Sequence, residues 1–268
     1  MQYRLRRRRL PEIFDFAALV LRTHLASFAP IVIPPLLRFV ARNTALILWW
    51  GRYGPRELEW VSWEHAALLG LICIQRSMIG LPVLLMNGNL LFEARPGRRE
   101  ILRTAVGFAP RYLWSQAVLW PFQVFVMAWT FVLPWRALVT QFSRSEVIVL
   151  ERLRGQDLSR RMNAIVSGQT ERGIACLLLD LALMALILLS CGFAFNILLD
   201  MMSLSERYWW LPAQFSLFSP VMHFLILSYC VYHTTAKFLY YIDSRALREG
   251  WDVELMLVKG VRETEDST

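Results

Sequence analysis

Residues 173–199 run for 27 positions with a single charge among them, Asp180. At 1.5 Å of rise per residue, a helix of that length reaches about 40 Å, more than the roughly 30 Å hydrocarbon core of a bilayer. A helix that is apolar on every side must lie within lipid or within other protein. The rest of the chain points to lipid. Of 268 residues, 56% are hydrophobic and 19% charged, with a mean hydropathy of +0.40. Soluble domains sit near about 45–50% and about 25%. Such a balance excludes a disordered chain, a collagen-like chain and a disulfide scaffold. Eleven Trp, sixteen Phe and eight Tyr suit the two membrane–water interfaces.

The same reasoning along the chain predicts an all-α polytopic membrane protein. It has six transmembrane helices, at about 28–51, 64–93, 110–132, 134–150, 173–199 and 214–242. They form three hairpins, each with an amphipathic interfacial helix on the cytoplasmic side. The apolar region 109–150 is far too long for one span, and Leu133–Pro134 divides it. Pro34–Pro35 should kink or loosen the first turns of the first span. Amphipathic segments are expected at 11–26, with Phe14, Ala17, Leu21, Leu25 and Phe28 on one face, and around Arg98–Phe108. A third falls at 156–168, with Leu158, Met162, Ile165 and Val166 opposite Arg160 and Arg161, and a fourth in the tail at Leu247, Trp251, Leu255 and Val258. Tyr208, Trp209 and Trp210 read as an interfacial belt. Residues 1–10 are a basic tail, 11–243 one membrane domain, and 244–268 an amphipathic tail.

The charges set an orientation. Net charge is +8, and all basic residues but Lys237 and Lys259 are arginine. The cations cluster between apolar stretches, which fits cytoplasmic loops facing anionic headgroups rather than nucleic acid. Six spans put 21 Lys and Arg on one side, including Lys237, and 4 on the other, with Arg38, Arg42, Arg76 and Arg144 inside spans. By the positive-inside rule both termini are cytoplasmic. Arg4 and Arg6 to Arg9 then form a retained tail, because Glu12, Asp15 and Arg22 interrupt any signal-peptide core.

A pattern recurs three times: amphipathic helix, span, outer loop, span, then an acid at the inner end. Glu93, Glu151 and Asp243 hold that place, each followed by arginine. Three hairpins that simply need anchoring would look the same.

The candidate chemistry is sparse. Charges inside spans cost about 2.5–3.5 kcal/mol each at the bilayer centre on insertion scales. Arg38, Arg42, Arg76 and Asp180 are therefore candidates for binding an anionic lipid headgroup or phosphate in an inner cavity, with Asp180 partnered by Arg38 or Arg76. The alternative is that these charges only fix helix register. Asp243, Arg245, Arg248, Glu249, Trp251, Asp252 and Glu254 lie in a tail expected to be solvated, and are candidate contacts for a membrane-protein partner. His24, His65, His223 and His233 show no metal-ligand spacing, the four cysteines lie in apolar stretches without a CxxC, and no nucleophile or phosphate-loop motif is present. No cofactor is expected.

Two segments carry a resemblance. VIVLERLRGQDLSRRMNAIVSGQ (Val147–Gln169) resembles a signature of bacterial polytopic proteins that include the membrane domain fused to some glycerophosphodiester phosphodiesterases. It departs from that pattern at Met162–Asn163. YYIDSRALREGWDVELML (Tyr240–Leu257) is similar to the tail of uncharacterised membrane proteins encoded beside MoxR-type ATPases. The resemblance implies a six-helix inner-membrane protein and no phosphodiesterase activity. Three functions follow as expectations: a non-enzymatic subunit or scaffold of a membrane assembly, an anionic-lipid-binding or transport protein, and, least supported, an enzyme acting on lipid phosphates.

Overall fold

A computed structural model describes residues 9–53, 63–91, 97–119, 139–140, 142–167, 169–202 and 219–249. Among these the chain is helical, with no strand. The helices are α1 (Leu10–Thr23), α2 (Leu25–Tyr53), α3 (Trp63–Leu91), α4 (Arg98–Leu113), α5 (Gly155–Val166), α6 (Thr170–Met201) and α7 (Pro220–Glu249). Two π-helical segments, Trp114–Leu119 and Val147–Glu151, follow α4 and the turn Arg144–Glu146.

Among the described residues, three helices are long and apolar enough to cross a membrane: Leu25–Trp50, Glu64–Leu91 and Thr170–Met201. They correspond to the first, second and fifth expected spans. Residues 120–132 of the third expected span and 134–138 and 141 of the fourth fall outside the described residues, as do the aromatic belt, Glu93 and the tail helix beyond Glu249. Helix α2 runs unbroken through Pro30, Pro34 and Pro35. Helix α4 likewise continues through Pro110, so the expected amphipathic helix and the start of the third span are one element. What is described of the fourth expected span is buried rather than apolar-outward, with Val139, Phe142, Glu146 and Val147 to Val149 all in the core.

The arrangement inverts that of a soluble globule. The most apolar helix, α6, is on the outside: only 6% of its apolar window is buried, and Leu178, Leu181, Leu186, Phe193 and Ile197 face outward. The central helix is α7, which carries Lys, His, Asp and several Tyr. It packs against α1, α2, α3, α5 and α6. Lipid rewards apolar surface outside, and Lys237 and Asp243 of α7 turn into the bundle.

Each short amphipathic helix buries one face, but the face expected over 11–26 does not hold throughout: α1 ends at Thr23, and Leu25, at the start of α2, is 63% exposed. Helix α1 buries Ile13, Phe14, Ala17 and Val20, and α5 buries Leu158, Met162, Ile165 and Val166. Two buried polar pairs set helix register. The Asn43 and Gln75 side chains exchange two hydrogen bonds of 2.7 and 2.9 Å between α2 and α3. Asn87 of α3 donates to Thr235 of α7 at 3.1 Å. At Gly80, a Cβ would stand 2.8 Å from the Tyr112 hydroxyl and 3.1 Å from Thr234 Oγ1, so glycine lets α3, α4 and α7 close on one another.

Candidate functional site

On a helix, side chains four residues apart form one ridge. Tyr229, His233, Lys237, Tyr241 and Arg245 stand at that spacing on α7. Sixteen residues separate the first from the last, about 24 Å along the axis. Each rung engages a carboxylate brought by another element.

At the first rung, Asp180 of α6 is buried against α7. The Tyr229 hydroxyl lies 2.7 Å from its Oδ1 and 2.8 Å from its backbone carbonyl, and can donate to either. His233 Nδ1 is 2.7 Å from Oδ2. The ring of Phe142 packs edge-on against the imidazole, with centroids 5.9 Å apart. A carboxylate on Nδ1 orients the ring and leaves Nε2 directed elsewhere.

At the second rung, Lys237 is 5% exposed and Glu146 1%. Lys237 Nζ donates to Ser145 Oγ at 2.6 Å, and Ser145 donates to Glu146 Oε2 at 2.8 Å. The ammonium is 3.6 Å from the other oxygen, Oε1, and lies 5.3 Å from the centroid of the Phe142 ring.

At the third rung, the Tyr241 hydroxyl donates to Glu151. Arg161 Nε is 2.6 Å and Arg245 Nη1 3.6 Å from the same carboxylate. Glu146 and Glu151 are five residues apart, which in an α-helix would turn them to different sides. The intervening Val147–Glu151 is π-helical, and its i to i+5 bonding returns the fifth residue close to the same face. Both acids can therefore meet one ridge of α7. Beside this rung, Arg172 pairs with Asp243. The repeated acid-then-arginine pattern thus becomes a set of cross-links: Arg245, which follows Asp243, reaches Glu151.

Between the first and second rungs lies a cavity of about 30 Å3, lined in part by Arg76, Tyr112, Gln116, Glu146, His233 and Lys237. Tyr112 and Gln116 belong to α4 and the first π-helical segment, so both π-helical segments border the site. Cys230, also in the wall, is directed at the Arg76 carbonyl at 3.2 Å.

Several expectations are corrected here. The partners of Asp180 are Tyr229 and His233, because α7 rather than α2 or α3 lies against it. Arg38 and Arg42 do not line the cavity; both are exposed on α2. Arg76 does line it. Lys237, counted with the cytoplasmic end, is buried inside the bundle. Asp243 is 2% exposed and paired with Arg172, and Arg245 turns to Glu151; neither lies in a solvated tail. The side chains of Arg248 and Glu249, and all of Trp251, Asp252 and Glu254, lie outside the described residues. Among the described residues, no cluster of His, Cys, Asp and Glu is arranged to hold a metal ion.

No protein-family model, curated protein or solved structure matches this chain. Fold and site alone define the class: a protein whose described residues are helical, three of those helices being long and apolar enough to cross a membrane, built around a buried ladder of ionisable side chains.

Proposed function

We propose that the protein is a non-enzymatic, multi-pass subunit or scaffold of a bacterial inner-membrane assembly. Six spans in three hairpins place both termini in the cytoplasm. The observation that carries this reading is the arginine pair on α2. Arg38 and Arg42 are four residues apart and exposed, within an outward stripe otherwise made of Ile33, Leu37, Ala41, Ala45 and Leu48. Arg38 lies thirteen residues after Leu25 and twelve before Trp50, about 18–20 Å from either end of the apolar span. A guanidinium at that depth costs about 2.5–3.5 kcal/mol on insertion scales unless it is paired. Two on one face, each with five donors in a planar fork, favour a carboxylate on a neighbouring membrane helix. The balanced charges of the ladder also support a structural subunit, since they hold the bundle together without an evident nucleophile.

A second reading has the same pair bind the phosphate of an anionic lipid. Native mass spectrometry after mild extraction from the protein's own membrane separates the two. A stoichiometric membrane-protein partner, lost in Arg38→Leu/Arg42→Leu, supports the assembly role. Retained anionic lipid without a protein partner, lost in the same variant, favours lipid binding. A bare chain in both cases would sink both readings.

A further inference from the structure

A groove of about 560 Å3 opens on the outside of the bundle where α6 ends and α7 begins. Its walls include Val40 of α2, Ala194, Phe195 and Leu198 of α6, and Val221 and Phe224 of α7. The volume falls in the roughly 300–1,000 Å3 of small-molecule sites. Among the described residues, no charged, amide or hydroxyl side chain lines it. The one side-chain heteroatom there is the Cys191 thiol, which behaves as a small hydrophobe. Leu198 is 51% exposed and Phe224 41%, so the opening faces sideways, away from the bundle.

Depth decides what the groove meets. Cys191 stands ten residues before Met201, the end of α6, and Val40 ten residues before Trp50, the end of the apolar stretch of α2. Each interval is about 15 Å of helix, half of the roughly 30 Å hydrocarbon core. Pro220, the first residue of α7, is also in the wall. The groove thus runs from one end of the spans to about mid-membrane, the depth of one leaflet. A partner's spanning helix would lie along both halves of α6, and it binds through close backbone approach and polar contacts. This groove stops halfway and offers no polar contact. A lipid tail is one leaflet long and needs none, and it restores the dispersion contacts that an empty groove would forfeit. Arg38 and Arg42 stand two residues either side of Val40 but do not line the groove.

We propose that the groove binds one acyl chain of a membrane phospholipid, from the leaflet at the end of α6 where Met201 lies. The chain enters between Leu198 and Phe224 and passes Ala194 toward Cys191 and Val40. It fills the seam between α6 and the central helix α7. The hydrocarbon chain is recognised, and no described cation in the wall selects the headgroup. The site is separate from the arginine pair on α2 and needs no protein partner, so its failure would leave the assembly reading standing.

The test uses the full-length protein in phosphatidylcholine vesicles doped with a phosphatidylcholine that carries a diazirine midway along one chain. After irradiation, peptide mass spectrometry should find adducts on Cys191–Leu198 and Val221–Leu225 several-fold above those on Leu178–Leu186, a stretch of the same helix whose leucines at 178, 181 and 186 face outward just as fully. That comparison needs no variant. Ala194→Trp, which fills the groove, should lower the groove adducts several-fold and leave those on Leu178–Leu186 unchanged, while Arg38→Leu/Arg42→Leu should alter neither. Adducts spread evenly along α6 would overturn the proposal, as would groove adducts that persist in a folded Ala194→Trp protein. Groove residues spared in the native membrane while Leu178–Leu186 is labelled would mean that a protein covers the groove, and would overturn it equally.

Discussion

Replacing Lys237 by Met removes one charge of a buried pair and keeps most of the side chain's volume. The ammonium is 3.6 Å from Glu146 Oε1 and 2.6 Å from Ser145 Oγ. At an effective dielectric of about 20, two unit charges at 3.6 Å attract by about 4–5 kcal/mol. Most of that offsets the cost of taking both groups out of water, so the pair as a whole contributes little net. Removing one member is different, because the other charge then stays buried and uncompensated. Lys237→Met should therefore cost about 3–5 kcal/mol, and Glu146→Gln a similar amount. The double variant should come within about 1 kcal/mol of the parent, giving a coupling of several kcal/mol. Reversible unfolding in mixed micelles, followed by circular dichroism, supplies the four free energies. The reasoning fails if Lys237→Met costs less than about 1 kcal/mol, or if the double variant costs the sum of the two single changes.

Further outcomes follow from other rungs and contacts. Tyr229→Phe should cost about 1 kcal/mol in the same unfolding assay, while Asp180→Asn, which weakens the bonds of both Tyr229 and His233, should cost more, about 1.5–3 kcal/mol. Gly173→Ala should destabilise by about 1–3 kcal/mol, because its Cβ would collide with Val139 Cγ1, whereas Gly70→Ala meets nothing and should be neutral or stabilising by up to about 1 kcal/mol. A reporter enzyme fused after Thr268 should read cytoplasmic; a periplasmic signal would refute the orientation drawn from the arginines.

Much of the helix placement was legible in the sequence because lipid imposes a simple rule. A stretch such as 173–199 has only one kind of environment open to it, and α6 is indeed the outermost apolar helix described. The face of α5 followed from 3.6-residue periodicity, and that of α1 only in part, because the chain turns after Thr23 and Leu25 no longer continues the ridge of Phe14 and Ala17. The ladder was only half legible. Tyr229, His233, Lys237, Tyr241 and Arg245 are spaced four apart in plain view, but counting cations by side assigns Lys237 to the cytoplasmic end of its span. Its partners are remote in sequence: 53 residues separate His233 from Asp180, 92 separate Lys237 from Ser145 and 90 separate Tyr241 from Glu151. Nothing local specifies those pairings. The position of Glu151 was hidden for another reason. Read as α-helix, residues 146 and 151 point to different sides, and only the π-helical turn aligns them. Arg38 and Arg42 were noted for their depth, but depth does not say whether a side chain faces the bundle or the lipid.

The account rests on α7 being a membrane-embedded central helix whose polar ridge is sealed inside the bundle. Single cysteines at positions 224, 229, 233 and 237, in a background without Cys73, Cys176, Cys191 and Cys230, can be spin-labelled in bilayers and read with lipid-soluble oxygen and a water-soluble nickel chelate. Phe224 is 41% exposed, so its label should collide with oxygen, while labels at 229, 233 and 237 should be reached by neither quencher. Collision of the nickel chelate with labels at all three ladder positions would contradict the account, because α7 would then lie open to water.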